Sequence, residues 1–200
     1  MRKFLALLFI LPLAACFDAD ITIDFIDNDT AEMNAVMTMG PEFYAMVAQG
    51  GEDPCEEGVG EAQADGSYLC TISETGSIDD LIAEANAPSD HDDMNSPTGG
   101  MTQGYVIERL DSETIKVSFD LTEMLSDSKP DEDMGEMAAM LRASFTGHAI
   151  TMNVTGASVV ETNGTVSDDG KTATFVIPLE KMLDEDPGLP NSFDATVKTR

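Results

Sequence analysis

The chain has no tryptophan, only 2 histidines, and only 10 lysines and arginines against 38 aspartates and glutamates. Each shortage excludes something. At a formal net charge of −28 the chain repels phosphate backbones and anionic headgroups, so nucleic acid is not an expected partner. The scarcity of imidazole leaves little for metal ligation or for acid–base chemistry at neutral pH. Neither Gly-x-Ser-x-Gly nor His-Glu-x-x-His occurs, so two common catalytic arrangements are missing. Ser144 and His148 stand four apart, but a helix end is expected between them and no third group is placed to orient the ring. The apolar run at 4–13 has 10 residues, about half of what a bilayer-spanning helix needs. These absences predict a non-enzyme with no cofactor.

What that short run does have is context. Arg2 and Lys3 precede it, and Leu13-Ala14-Ala15 lead from it into Cys16. A basic start, an apolar stretch and a small-residue cleavage site make a secretory signal. Leu13-Ala14-Ala15-Cys16 also resembles the bacterial lipobox; an ordinary signal peptide with a chance cysteine is the alternative. The resemblance implies that residues 1–15 are removed, that the Cys16 thiol carries a diacylglyceryl group, and that the new amino terminus is acylated. The mature chain, 16–200, then holds to a membrane by the acyl chains on Cys16, each buried CH₂ contributing about 0.8 kcal/mol. Phe17 rather than aspartate follows the cysteine. In enterobacterial sorting that position favours the outer membrane, facing the periplasm.

There are 3 cysteines, an odd number that needs explaining in an exported chain. Lipidation of Cys16 leaves Cys55 and Cys70 as a pair in an oxidising compartment. A disulfide between them is expected to add about 3 kcal/mol and to staple the polar, Gly-rich stretch 55–60. Two free thiols or a soft-metal site are the alternatives, and no histidine is near either cysteine.

Hydrophobic residues make up 42% of the chain and fall in periodic blocks, which argues for a folded body with acidic loops over disorder. Residues 17–25 alternate apolar and polar, Asp27-Asn28-Asp29 supplies turn chemistry, and alternation resumes at Ala31, Met33, Ala35, Met37 and Met39. This predicts a β-hairpin starting at the lipid anchor. Gly40-Pro41 opens a short helix that Gly50-Gly51 stops, 67–72 reads as a strand, and Ser77 caps a second helix. Residues 88–104 are rich in Asp, Ser, Pro and Gly and are expected to form a mobile acidic loop. A second hairpin is predicted at 105–110 and 114–121, helix at 121–125 and 133–145, and strands at 149–154, 157–160 and 172–177. A turn of helix at 179–183 and a final edge strand at 193–197 complete the pattern. Strands at both ends with helices between predict a single α+β domain, its mainly antiparallel sheet covered by helices on one face.

A lipobox followed at once by an acidic alternating hairpin is similar to the start of LppM-like bacterial lipoproteins. So is the closing stretch Val159-Val160-Glu161-Thr162-Asn163-Gly164, followed by Asp169-Gly170-Lys171-Thr172-Ala173-Thr174-Phe175-Val176-Ile177-Pro178-Leu179. Phe175 stands where that family commonly has tryptophan, and Thr155 precedes Gly156 where Pro-Gly is frequent. The resemblance covers about a third of the chain on the length of those stretches. It implies an envelope-anchored α+β domain that takes an apolar or amphipathic, lipid-like ligand, and it supplies no catalytic residues.

Three further groupings were weighed. Asp90-His91-Asp92-Asp93 offers cation ligands, but nothing in its Pro/Gly-rich surroundings fixes their geometry, and it reads as a solvated charge run. The stretch 27–31 begins like a calcium loop but lacks the glycine at position six and the spaced glutamate. Met134, Met137 and Met140, with Met124 upstream, recur at helical spacing. They read first as core, then as lining of an apolar cavity, and last as a Cu(I) site. The overall expectation is a lipid-anchored envelope protein that binds an apolar or amphipathic ligand. An adaptor docking an envelope protein through strand edges is the alternative.

Overall fold

A computed structural model describes residues 17–49, 54–55, 58–86, 105–122, 125, 142–184 and 186–200. In chain order the strands are β1 (Phe17–Phe25), β2 (Thr30–Met39), β3 (Val59–Ala62), β4 (Tyr68–Ser77), β5 (Tyr105–Arg109) and β6 (Thr114–Asp120). They continue as β7 (Ala149–Thr155), β8 (Ser158–Thr162), β9 (Thr165–Val166), β10 (Thr172–Pro178) and β11 (Ser192–Lys198). The helices are α1 (Pro41–Gln49), α2 (Ile78–Ala85) and α3 (Leu179–Met182).

Alternation places the first strand. Ala19, Ile21, Ile23 and Phe25 of β1 are buried, while Asp18, Asp20, Thr22 and Asp24 take the other side. The same two-residue period runs through β6, β7 and β11. Aspartates then turn the chain. Asp27 Oδ1 accepts from the N–H of Asp29 at 2.8 Å and of Thr30 at 2.7 Å, which closes the β1–β2 hairpin. Asp65, Asp111 and Asp169 accept in the same way from Ser67, Glu113 and Lys171. These bonds favour the charged form, so all four carboxyls are held below the usual range. Backbone N–H groups lead the effect at Asp27 and Asp111, and the Ser67 and Ser167 hydroxyls lead it at Asp65 and Asp169. Part of the chain's acidity is therefore turn chemistry.

The strands form two sheets. One has seven strands in the order β3-β4-β2-β1-β7-β10-β9, the other four in the order β5-β6-β11-β8. All pairings are antiparallel except β1 with β7, which run parallel with Ala19 beside Ile150 and Ile23 beside Val154. The apolar faces of both sheets meet in one core. There the rings of Phe175, Phe193 and Phe119 stack in series, with centroids 5.4 and 5.6 Å apart, and Tyr105 continues the row. Fully burying a ring such as Phe193 contributes about 2–3 kcal/mol, and each ring pair about 1 kcal/mol more.

The α+β class and the predominance of antiparallel pairing agree with the sequence. Three details differ. The described strands form two sheets that share a core where one sheet was expected, because alternation marks a strand's buried side and not which sheet it joins. β11, expected at an edge, lies between β6 and β8, since its apolar side faces the core while its backbone edges are free to pair on both sides. The strand expected at 67–72 runs on to Ser77 as β4, whose partner β2 extends that far. The 88–104 loop with Asp90-His91-Asp92-Asp93, and Met124, Met134, Met137 and Met140, lie outside the described residues.

Candidate functional site

Cys16 lies outside the described residues, but Phe17, to which it is bonded, is the first residue of β1. β1 has a neighbour on each side, so Cys16 is bonded directly to an interior strand. Strand register shows what shares that end of the molecule. Phe17 pairs with Met39 at the end of β2, Ala19 pairs with Ile150 near the start of β7, and Ala149 pairs with Pro178 at the end of β10. α1 therefore begins two residues after the strand partner of Phe17, and α3 follows β10 on the same side.

A continuous set of contacts ties this end together. Cys55 and Cys70 form a disulfide with Cα atoms 5.5 Å apart. Cys70 lies two positions along β4 from Tyr68, whose ring stacks on Tyr44 of α1 at 4.4 Å. The preceding helical residue, Phe43, meets Phe17 edge-on at 6.5 Å. Gly60 of β3 lies against Tyr68: a Cβ there would fall 1.7 Å from the tyrosine oxygen, so only glycine fits. The 55–60 stretch, expected as a plain loop, thus contains the start of an edge strand.

His148, the residue before β7, places Nδ1 2.8 Å from Asp18 Oδ2, while Asp18 Oδ1 accepts the Ala149 N–H at 2.9 Å. The carboxylate pins β7 beside β1, where a parallel pair has no turn of its own to hold it. Ser144 belongs to the helical turn 142–145, and His148 follows that turn's end as expected.

A cleft of about 40 Å³ lies between α2 and strands β2 and β4. Ser77 caps α2, its hydroxyl oxygen accepting the Asp80 N–H at 3.0 Å. Ala31, Met33 and Leu81 give the cleft apolar walls, and Glu74, Asp80 and Glu84 ring it with carboxylates. At about 10–15 Å³ per water it has room for about three, well short of a pocket for a whole lipid, about 300 Å³ or more. Tyr105 directs its hydroxyl to Met33 Sδ at 4.0 Å. Burial, reinforced by Glu84 and Glu74, raises the Tyr105 pKa above the usual phenol value.

Among the described residues, no cluster of three or more His, Cys, Asp or Glu is arranged to hold a metal ion. No described helix is long and apolar enough to cross a membrane. Asp27, rejected from the sequence as a calcium ligand, spends its oxygen on turn N–H groups. The sequence reading missed the contact of Phe17 with α1. Its available signal was the acid-free stretch 43–51 in so acidic a chain.

No family model and no curated protein matches the chain. Among solved structures, the folded domain of LppM from Mycobacterium tuberculosis, determined by NMR, aligns over 100% of this chain and 96% of its own. The two share 14% sequence identity at a TM-score of 0.48. The likeness is distant and concerns fold alone.

Proposed function

We propose that the chain is a lipid-anchored, non-enzymatic envelope lipoprotein of the LppM-like type whose single domain, 16–200, takes an apolar or amphipathic ligand. The observation that carries this reading is the absence of any linker: the interior strand β1 begins at Phe17, directly after the lipobox cysteine. Acyl chains on Cys16 hold the protein to the outer membrane, and its acidic body faces the periplasm. The α2 cleft receives one small end of the ligand, apolar against Met33 and Leu81, with an amine or hydroxyl group reaching Glu74 or Glu84. The rest of the ligand stays outside the cleft.

A second reading is an adaptor that docks an envelope protein along β3. All four residues of β3 are exposed, Val59 at 74%, and among the described residues β4 is its one strand neighbour. An edge of that kind accepts an added strand. Native mass spectrometry of protein extracted gently from its own membrane separates the two. Co-purifying lipid masses support the ligand reading, and a stoichiometric protein supports the adaptor. If both are missing, neither reading stands.

A further inference from the structure

We infer that α1 lies on the bilayer surface beside the anchor, with Pro41, Ala45 and Ala48 against the lipid headgroups. The inference rests on lipidation of Cys16 and adds an orientation to it. Cys16 is one peptide unit, about 3.8 Å between Cα atoms, from Phe17, and the Phe17 ring lies 6.5 Å from Phe43 of α1. Among the described helices, α1 sets a ring against Phe17, so a lipid attached at Cys16 brings the membrane close to it.

The surface chemistry of α1 suits that position. Phe43, Tyr44 and Val47 are half-buried on the side facing the domain, while Pro41, Ala45, Ala48 and Gln49 are exposed. Glu42 is the one charged residue of α1, and no acid follows it until Glu52. A densely carboxylate-bearing face would be repelled by anionic lipid; here Glu42 and the Asp65 turn beside Pro41 put acid at the start of the helix, and Ala45, Ala48 and Gln49 continue it uncharged. Because α1 has no lysine or arginine, its contact is apolar and polar-neutral rather than electrostatic. It therefore needs no anionic lipid and resists salt, unlike a basic interfacial helix. The opposite end of β1 is eight residues away, about 27 Å along an extended strand. The tips at 26–29 and 110–113 then stand clear of the membrane.

The absence of tryptophan makes the test free of background. Ala48→Trp on α1 and Leu110→Trp at the distal hairpin, where Leu110 is 50% exposed, are each made in the acylated full chain. Both are reconstituted in phosphatidylcholine vesicles containing lipid with brominated acyl chains. Interfacial insertion of about 5–10 Å should quench Ala48→Trp about twofold, unchanged in high salt, and leave Leu110→Trp unquenched. No quenching at Ala48→Trp, or equal quenching at both sites, overturns the inference. Ala45→Trp repeats the measurement if Ala48→Trp misfolds. Intact mass reports acylation separately. If Cys16 carries no lipid, the anchor reading fails. Coupling the Cys16 thiol to a maleimide lipid then restores a tether on which the same quenching still decides the placement of α1.

Discussion

At the Phe17 end of β1, which would carry the anchor, the chain reverses through helices and one Asp65-held turn and is tied by stacked rings and a disulfide; at the distal end it reverses through short turns held by Asp27, Asp111 and Asp169. The first set of contacts is apolar or covalent: Phe17 on Phe43, Tyr44 on Tyr68, Cys55 to Cys70. The second is polar: exposed Asp27, Asp111 and Asp169 on backbone N–H groups, Arg109 on Asp79, Arg200 on Asp24, and the buried Thr199 on Asn28 and the Glu113 carbonyl. The difference means that the two ends should respond to different solvents. Acid should loosen chiefly the distal end, where the turns of Asp27, Asp111 and Asp169 gather, and reductant the Phe17 end.

The largest effect is expected in the ring stack of the core that both ends share. Phe193→Ala removes the middle ring between Phe175 and Phe119, and should cost about 3–5 kcal/mol in urea unfolding. A loss below 1 kcal/mol would mean that the two sheets do not share this core. Next is the disulfide. Replacing Cys55 and Cys70 together by serine should cost about 3 kcal/mol, from the loop of 15 residues it closes. That loss should be the same at pH 7 and pH 5, since no proton is involved. A strong pH dependence would blur the contrast between the ends.

The distal turns give a smaller effect with a distinct signature. Their carboxyls titrate below the ordinary value of 3.8 in the folded protein. Their contribution is therefore complete above about pH 4 and lost as pH falls through the lower folded values. Asp111→Ala should lower the midpoint of thermal unfolding at pH 7 and make no difference at pH 2. Hydrogen exchange in wild-type protein should show the 110–113 amides losing protection in acid before those of β4. Uniform loss would erase the distinction. The smallest change is expected for Arg109→Ala, which removes an ion pair to an 85% exposed carboxylate and should cost less than about 1 kcal/mol.

The sequence carried the local structure well. Alternation in 17–39 located the first hairpin, Ser77 marked the start of α2, Gly40-Pro41 marked α1, and the odd cysteine pointed to the Cys55–Cys70 pair. Long-range pairing was not legible. Nothing in 149–155 says that β7 lies parallel to β1, because the same alternating face serves either direction, and the Asp18 contact that fixes it comes from 131 residues away. Nor does alternation reveal that β8 and β9, joined by Asn163-Gly164, pass from one sheet to the other. The lipobox resemblance is carried by residues outside the described ones, whereas Phe17 beside it begins β1. The proximity of α1 to it was hidden, since it depends on the register of Phe17 with Met39.

Intact mass spectrometry of the mature protein from its membrane fraction, with and without reductant before alkylation, tests the central claim most directly. The account predicts a polypeptide beginning at Cys16 and bearing a diacylglyceryl and an acyl group, with alkylation at Cys55 and Cys70 after reduction alone. An unacylated chain in which Cys16 is alkylated in its native state would contradict it.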